Sequence, residues 1–136
     1  MNILFFLLPK SQVSYVLDNF TLRQTVEKLR FHHYTAIPVL DRKGRYLRTI
    51  SEGDILWYLK DHDGLDFKKA EDVPILDVPV ERDIRPIFST ECMEDLYALA
   101  MSQNFVPVVD DNGVFIGIVT RQQILKYFFT SLKEKE

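Results

Sequence analysis

Tyr34-Thr-Ala-Ile-Pro-Val-Leu-Asp-Arg-Lys-Gly-Arg-Tyr-Leu-Arg-Thr-Ile-Ser-Glu-Gly-Asp54 is the stretch whose reading decides the fold. It reads as an apolar strand over Ala36 to Leu40, a polar turn closed by Gly44, and a second strand over Tyr46 to Ile50. A Ser-x-x-Asp then opens a helix. Asp41 is a good turn opener, and Gly44 sits where a four-residue turn often needs positive φ. The same sentence returns from Gln103 to Gln123. Pro38 becomes Pro107, Asp41 becomes Asp110, Gly44 becomes Gly113 and Tyr58 becomes Tyr127, each pair 69 positions apart and with no gap from Phe31 to Tyr58. A register held that long, with the turn residues in phase, is an internal duplication.

Composition bounds what the duplicated units can be. The 136 residues make one compact domain or two very small ones that share a core. A hydrophobic fraction of 46% with 27% charged residues is that of an ordinary soluble globular protein. A net charge of −3 without a basic run argues against nucleic acid as the main partner, because phosphate binding needs clustered Lys and Arg. The one cysteine, Cys92, excludes an intrachain disulfide and a Cys-based zinc cluster, and fits a reducing cytoplasm. Met1 to Leu8 is apolar but lacks the basic start and cleavage site of a signal peptide. It is also too short to span a bilayer, so no membrane role is expected. It reads as a buried first turn, and the similar Ile75-Leu-Asp-Val-Pro79 begins the second half.

Outward from the hairpins, each half has the same parts. Pro9 to Val16 gives a short extended segment ending in Val-Ser-Tyr-Val, which includes Ser14. Thr21-Leu-Arg-Gln24 is a capping box, after which Leu22, Val26 and Leu29 share a helical face that ends at His32 and His33. Lys60 to Ala70 is a polar connector. In the second half Pro79 to Ile87 repeats the extended segment, a helix spans roughly Met93 to Met101, and strands cover Phe105 to Val109 and Val114 to Val119. The second copy has lost a couple of residues around its first helix, and its last helix starts at Thr120-x-x-Gln123. The fold class is therefore α/β: two β-α-β-β-α units, expected at 1–66 and 67–136, each too small to bury its sheet alone and so packed sheet to sheet.

The doubled pattern apolar-Pro-Val-Val/Leu-Asp-x-x-Gly, followed by Ile/Val-Ser/Thr-x-x-Asp, resembles a tandem CBS-domain pair, the module of cystathionine β-synthase, over nearly the whole chain. The resemblance implies a pseudo-twofold pair with two clefts that bind adenine-containing ligands. In such modules the residues just before the Pro-Val strand line the base, and the Ser/Thr at the helix start faces phosphate or ribose. The Asp three residues later holds the ribose hydroxyls. Carried over, one cleft is built on Ser51 and Asp54 with Thr35 and Ala36, and Asn104 and Phe105 face it from the other unit; Ser14, Tyr34, Pro38 and Pro107 complete the nucleotide-binding residues that the resemblance implies. A carboxylate accepts two hydroxyls at once, and a helix N-terminus favours phosphate. From spacing alone, Ser-x-x-Asp and Thr-x-x-Gln are equally helix caps.

The second cleft departs from the pattern, since Gln123 stands where the family has Asp. Thr120-Arg121, with Tyr34 to Asp41 and Asn104-Phe105-Val106, is similar to small stand-alone CBS proteins that bind cyclic di-AMP. A guanidinium beside a phosphate is chemically apt; otherwise Arg121 is a solvated surface residue. No metal or cofactor is expected. His32 and His33 point about 100° apart on a helix and make a poor metal pair. Glu91, Glu94 and Asp95 are partners of a helix dipole, and Cys92 has no His near it in sequence. Trp57, Tyr58, Tyr127, Phe128 and Phe129 exceed what two short helices can bury, and imply a homodimer face.

These readings converge on a cytoplasmic regulatory sensor that binds AMP, ADP, ATP or cyclic di-AMP and modulates an unknown target protein. The alternative is a protein-interaction scaffold with no small-molecule ligand. An enzyme is not expected, because no base, nucleophile and oxyanion donors occur together.

Overall fold

The computed structural model describes residues 1–135, and its elements follow the repeat. In chain order they are β1 (Leu8–Pro9), β2 (Val16–Leu17), α1 (Leu22–His32), β3 (Ala36–Leu40), β4 (Tyr46–Ser51) and α2 (Glu52–Asp61). The second half adds β5 (Ile87–Phe88), α3 (Met93–Ser102), β6 (Phe105–Val109), β7 (Phe115–Thr120) and α4 (Arg121–Glu134). The fold is α/β, built as two β-α-β-β-α units with one sheet each.

Each repeated sentence forms a hairpin for the reasons its residues suggest. Asp41 Oδ1 accepts the Lys43 and Arg45 amides, both at 2.9 Å, and Asp110 Oδ1 accepts those of Asn112 and Val114 at the same distance. Gly44 and Gly113 complete the turns at φ 81° and 79°, a region that costs a residue with a Cβ. The strands pair antiparallel, with Ala36 opposite Ser51 and Phe105 opposite Thr120, and each hairpin has an irregularity at the same place, Val39/Leu40 and Val108/Val109. The second strands run one residue further than expected, to the cap residues themselves. Parallel to each hairpin lies a two-residue strand, β2 beside Val39–Leu40 and β5 beside Val108–Val109, so neither strand proline lies opposite it.

The helices start and stop on their side chains. Thr21–Gln24, Ser51–Asp54 and Thr120–Gln123 are all reciprocal capping boxes, which satisfy amides that a helix start leaves unpaired. His33 ends α1 in the left-handed conformation at φ 57°. The missing residues of the second copy fall at this helix end, so the unbroken 69 register is secure from Tyr34 and not from Phe31 as expected. Leu29 and Ala100 both close the buried face of their helices, but Tyr34 follows the first by five positions and Gln103 follows the second by three.

The compact units do not follow the expected division at 66/67. One unit is Ser14–Asp83; the other joins Met1–Val13 to Ile84–Glu136. The reason is packing. Ile3 and Phe6 are buried with Ile87, Leu96, Val106 and Val119, and β1 pairs antiparallel with β7. Ile75 and Val78 are buried with Val16, Leu22, Ile37 and Ile50 of the first repeat. The apolar leader of each repeat thus completes the core of the other. A fully buried Ile or Phe contributes about 1.5–3 kcal/mol, which outweighs sequence proximity. Pro9 to Val16 is likewise not extended throughout, since Lys10–Gln12 forms a 3-10 turn before β2.

Candidate functional site

In the unit Ser14–Asp83 the pairing of β3 with β4 brings the strand entry to the start of α2. Ala36 faces Ser51 across the ladder, and the Thr35 carbonyl accepts the Glu52 amide at 2.9 Å. Tyr34 sits just before them, and its phenol oxygen accepts the Ser14 amide at 3.4 Å. The Ser14 hydroxyl is itself buried and makes no hydrogen bond. Ser14, Tyr34, Thr35, Ala36, Ser51 and Asp54 therefore do converge. Pro38 is buried two positions along β3, opposite Thr49, where it shapes the strand.

Asp54 is the most constrained of these residues. It is only 2% exposed, and both carboxylate oxygens already accept backbone amides: Oδ2 from Ser51 at 2.8 Å and Oδ1 from Glu81 at 2.9 Å. Its own amide donates to Ser51 Oγ at 3.2 Å. The capping role is thus made in full, with a long-range anchor added to it. A guanidinium that sequence reasoning passed over stands near. Arg48 donates to the Ile75 and Val78 carbonyls, the latter at 2.8 Å. Burial holds the Arg48 pKa below its usual value, and the charges of Asp54 and Asp77 partly restore it. Beside it on β4, burial pushes the Tyr46 phenol up to about 12, against the lowering effect of its 2.7 Å bond to Thr49.

The other unit repeats the arrangement with different chemistry. Phe105 faces Thr120, and the Asn104 carbonyl accepts the Arg121 amide at 2.9 Å, the counterpart of Thr35 and Glu52. Thr120 bonds Gln123 through both its amide and its hydroxyl. Pro107 is buried opposite Ile118. Arg121 is not the solvated residue of the plainer expectation: its Nε donates to the Ala100 carbonyl at 2.7 Å, and Nη2 reaches that of Met101 at 3.5 Å, at the end of α3. A cation there meets the negative end of the helix. Gln103, also passed over, is 3% exposed and binds the Arg85 backbone on both sides, accepting its amide at 2.8 Å and donating to its carbonyl at 3.0 Å. Its place one residue before Asn104, equivalent to Tyr34, was the available signal.

The remaining candidates are bland. Cys92 is exposed at the cap of α3 and points its thiol at Asp95 Oδ2, 3.2 Å away. Glu94 and Asp95 lie in the first turn of that helix, and Glu91 accepts the Phe88 amide. Among the described residues no three His, Cys, Asp or Glu side chains are placed to hold a metal, and no helix is long and apolar enough to cross a membrane.

The comparisons with known proteins give the family and agree on the fold. The family model described as CBS domain matches residues 8–61 and 91–130, together more than half of the chain. The chain is 27% identical over 121 residues to the cyclic di-AMP receptor B of Bacillus subtilis (strain 168), covering 89% of this chain and 82% of that protein. It superposes with a TM-score of 0.87 on the crystal structure of CbpB in complex with c-di-AMP, at 25% identity over 98% of this chain and 88% of that one. The Listeria monocytogenes CbpB protein in complex with c-di-AMP gives 0.85 at 27% identity, over 96% of this chain and 97% of that one.

Proposed function

The chain belongs to the CBS-domain family, and on that premise we propose that it is a cytoplasmic regulatory sensor, not an enzyme, which binds an adenine nucleotide and thereby alters its affinity for a protein partner. The observation that carries the reading is one arrangement built twice. In each repeat a strand entry is tied by its carbonyl to the first helical amide, beside a capped helix start, at Thr35–Glu52 and again at Asn104–Arg121. The orphaned Ser14 hydroxyl beside Tyr34 supports a ligand there, because a buried polar atom without a partner is costly unless something satisfies it.

In this reading Asp54 accepts the ribose hydroxyls, and Thr120 and Arg121 face phosphate. Tyr34, Thr35, Ala36 and Pro38, with Asn104, Phe105 and Pro107, line the bases. The relatives named for cyclic di-AMP make that dinucleotide the first ligand to try, ahead of AMP, ADP or ATP. Mass spectrometry of small molecules released from the purified chain tests this, and recovery of an adenine nucleotide is expected. Arg121→Ala then separates the candidates: it is expected to weaken cyclic di-AMP about tenfold or more while leaving AMP unchanged.

We also propose a homodimer. Leu56 and Leu125 hold the same place in the two final helices and are 60% and 61% exposed. Phe31 and Met101, at the ends of α1 and α3, are more exposed still. Leu56 and Leu125, apolar residues left bare at matching positions of the two repeats, suit an isologous contact.

A scaffold without a small-molecule ligand is the second reading. It is favoured by Asp54 and Arg121 having structural partners already.

A further inference from the structure

The last helix carries more apolar surface than its own unit uses. In the unit that joins Met1–Val13 to Ile84–Glu136, α4 is held by buried Ile124 and by Tyr127, whose ring packs on Phe5 and Phe6. Leu125, Phe128, Phe129 and Leu132 are left between 41% and 63% exposed. The helical repeat puts these four within about 100° of one another, as a stripe beside the buried face. Lys126 and Lys133 run along the outer edge of the stripe, and Lys133 Nζ lies 4.9 Å from the Phe129 ring centre. Glu134 falls on the opposite side of the helix from Leu125.

The unit Ser14–Asp83 has the complement. Between α1 and α2 lies an open hollow of about 960 Å3, with Val26, Leu29 and Ile55 in its apolar lining. Glu27 and Glu52 line it too, and Phe31 stands in it 79% exposed. Glu27 reaches Arg23 at 3.4 Å, whereas Glu52 has no ion-pair partner among the described residues, and neither has Lys126. These charges decide what covers the stripe. Two α4 stripes laid antiparallel on each other bring four lysines to one edge with no carboxylate beside them. The hollow instead sets two carboxylates against the one guanidinium of Arg30.

We propose that the α4 stripe of one copy seats in the α1–α2 hollow of a second copy. Each chain carries one stripe and one hollow, so a twofold pair makes the contact twice. Apolar burial supplies the affinity, and Lys126 and Lys133 against Glu52 and Glu27 set the register. The inference rests on the homodimer proposed above and deepens it, by stating which surface of one copy covers which surface of the other.

Complementation between two variants tests this. Phe129→Glu with Leu132→Glu spoils the stripe and keeps the hollow; Phe31→Lys with Glu52→Lys spoils the hollow and keeps the stripe. All four positions are exposed. Sedimentation over a concentration series is expected to show each variant at a single chain mass, and an equal mixture associating about tenfold or more tightly than either alone. Dimers of the hollow variant by itself mean stripe on stripe, dimers of the stripe variant by itself mean hollow on hollow, and either overturns the docking. So does a mixture no tighter than its parts. In these cases twice the chain mass for the unaltered protein leaves the homodimer standing, whereas a single chain mass overturns both. Hydrogen exchange on the unaltered chain, at low and high concentration, needs no variant to fold. Association is expected to slow exchange both in residues 128–132 and in residues 30–34, and protection confined to one of them contradicts the proposal.

Discussion

Arg48 and Gly117 occupy the same place in the two repeats, opposite Val39 and Val108, and solve one packing problem by opposite means. Each receives the apolar leader that completes its unit. Arg48 reaches out and holds the Ile75 and Val78 carbonyls. Gly117 withdraws, so that β1 can lie against β7 with Pro9 directly opposite it. A Cβ at position 117 would collide with the Leu8 carbonyl oxygen and come within 2.9 Å of Leu7 Cδ1, at a φ of +154° that side chains rarely adopt.

Gly117→Ala is therefore expected to displace β1 and destabilise the chain by about 2–4 kcal/mol, read as a lower midpoint in urea. Arg48→Met keeps the aliphatic stem but abandons two carbonyls to a half-buried setting, at an expected cost of about 2–4 kcal/mol. A midpoint within error of the unaltered chain for either variant would show that the leader is held elsewhere.

Gln103 and Tyr34 form a second matched pair, holding the backbone of Arg85 and Ser14 respectively. The carboxamide makes short bonds on both sides of Arg85, whereas the phenol makes one long bond of 3.4 Å. Gln103→Ala is expected to cost about 2–3 kcal/mol and Tyr34→Phe less than about 1 kcal/mol, by thermal or chemical melting. The reverse order would mean that the equivalence of the two positions is only formal.

Asp54→Asn separates two roles of one carboxylate. The amide group accepts hydrogen bonds on one side only, so either the Ser51 or the Glu81 amide meets an NH2 group. Stability of the nucleotide-free chain should fall by about 1–3 kcal/mol. If Asp54 also binds ribose, affinity for cyclic di-AMP or AMP drops about tenfold or more in the still-folded variant, measured by calorimetry below its melting temperature. Loss of stability with unchanged affinity would leave Asp54 as a cap and anchor alone.

Leu56→Glu together with Leu125→Glu puts charges on the proposed dimer face and leaves both buried cores untouched. Sedimentation at micromolar concentration is expected to give twice the chain mass for the unaltered protein and a single chain mass for the double variant. A monomer before substitution would contradict the assignment of this face.

Much of the architecture was legible because local signals agreed with one another. Asp41 and Gly44, then Asp110 and Gly113, mark turns whose chemistry is complete within five residues. Thr21–Gln24, Ser51–Asp54 and Thr120–Gln123 mark helix starts that close on themselves. What could not be read depends on partners distant in sequence. Nothing local in Met1 to Leu8 says that Ile3 packs on Val106, and nothing in Tyr-Leu-Arg-Thr says that Arg48 holds Val78. Glu81 bonds Asp54 through its backbone amide, which every residue but proline has, so its side chain carries no trace of the contact. At the candidate site Tyr34, Thr35, Ala36, Ser51 and Asp54 were named through the family resemblance that the repeat carries. The prior commitments of Asp54 and Arg121 were not, since both depend on the folded positions of Glu81 and Ala100.

Calorimetric titration of the purified chain with cyclic di-AMP, after any co-purified nucleotide has been removed, tests the central claim most directly. Saturable heat with cyclic di-AMP, or with AMP, ADP or ATP in its place, is the predicted result. No heat with any of the four, from a chain that melts cooperatively, would contradict the sensor and leave a scaffold whose Asp54 and Arg121 serve the fold alone.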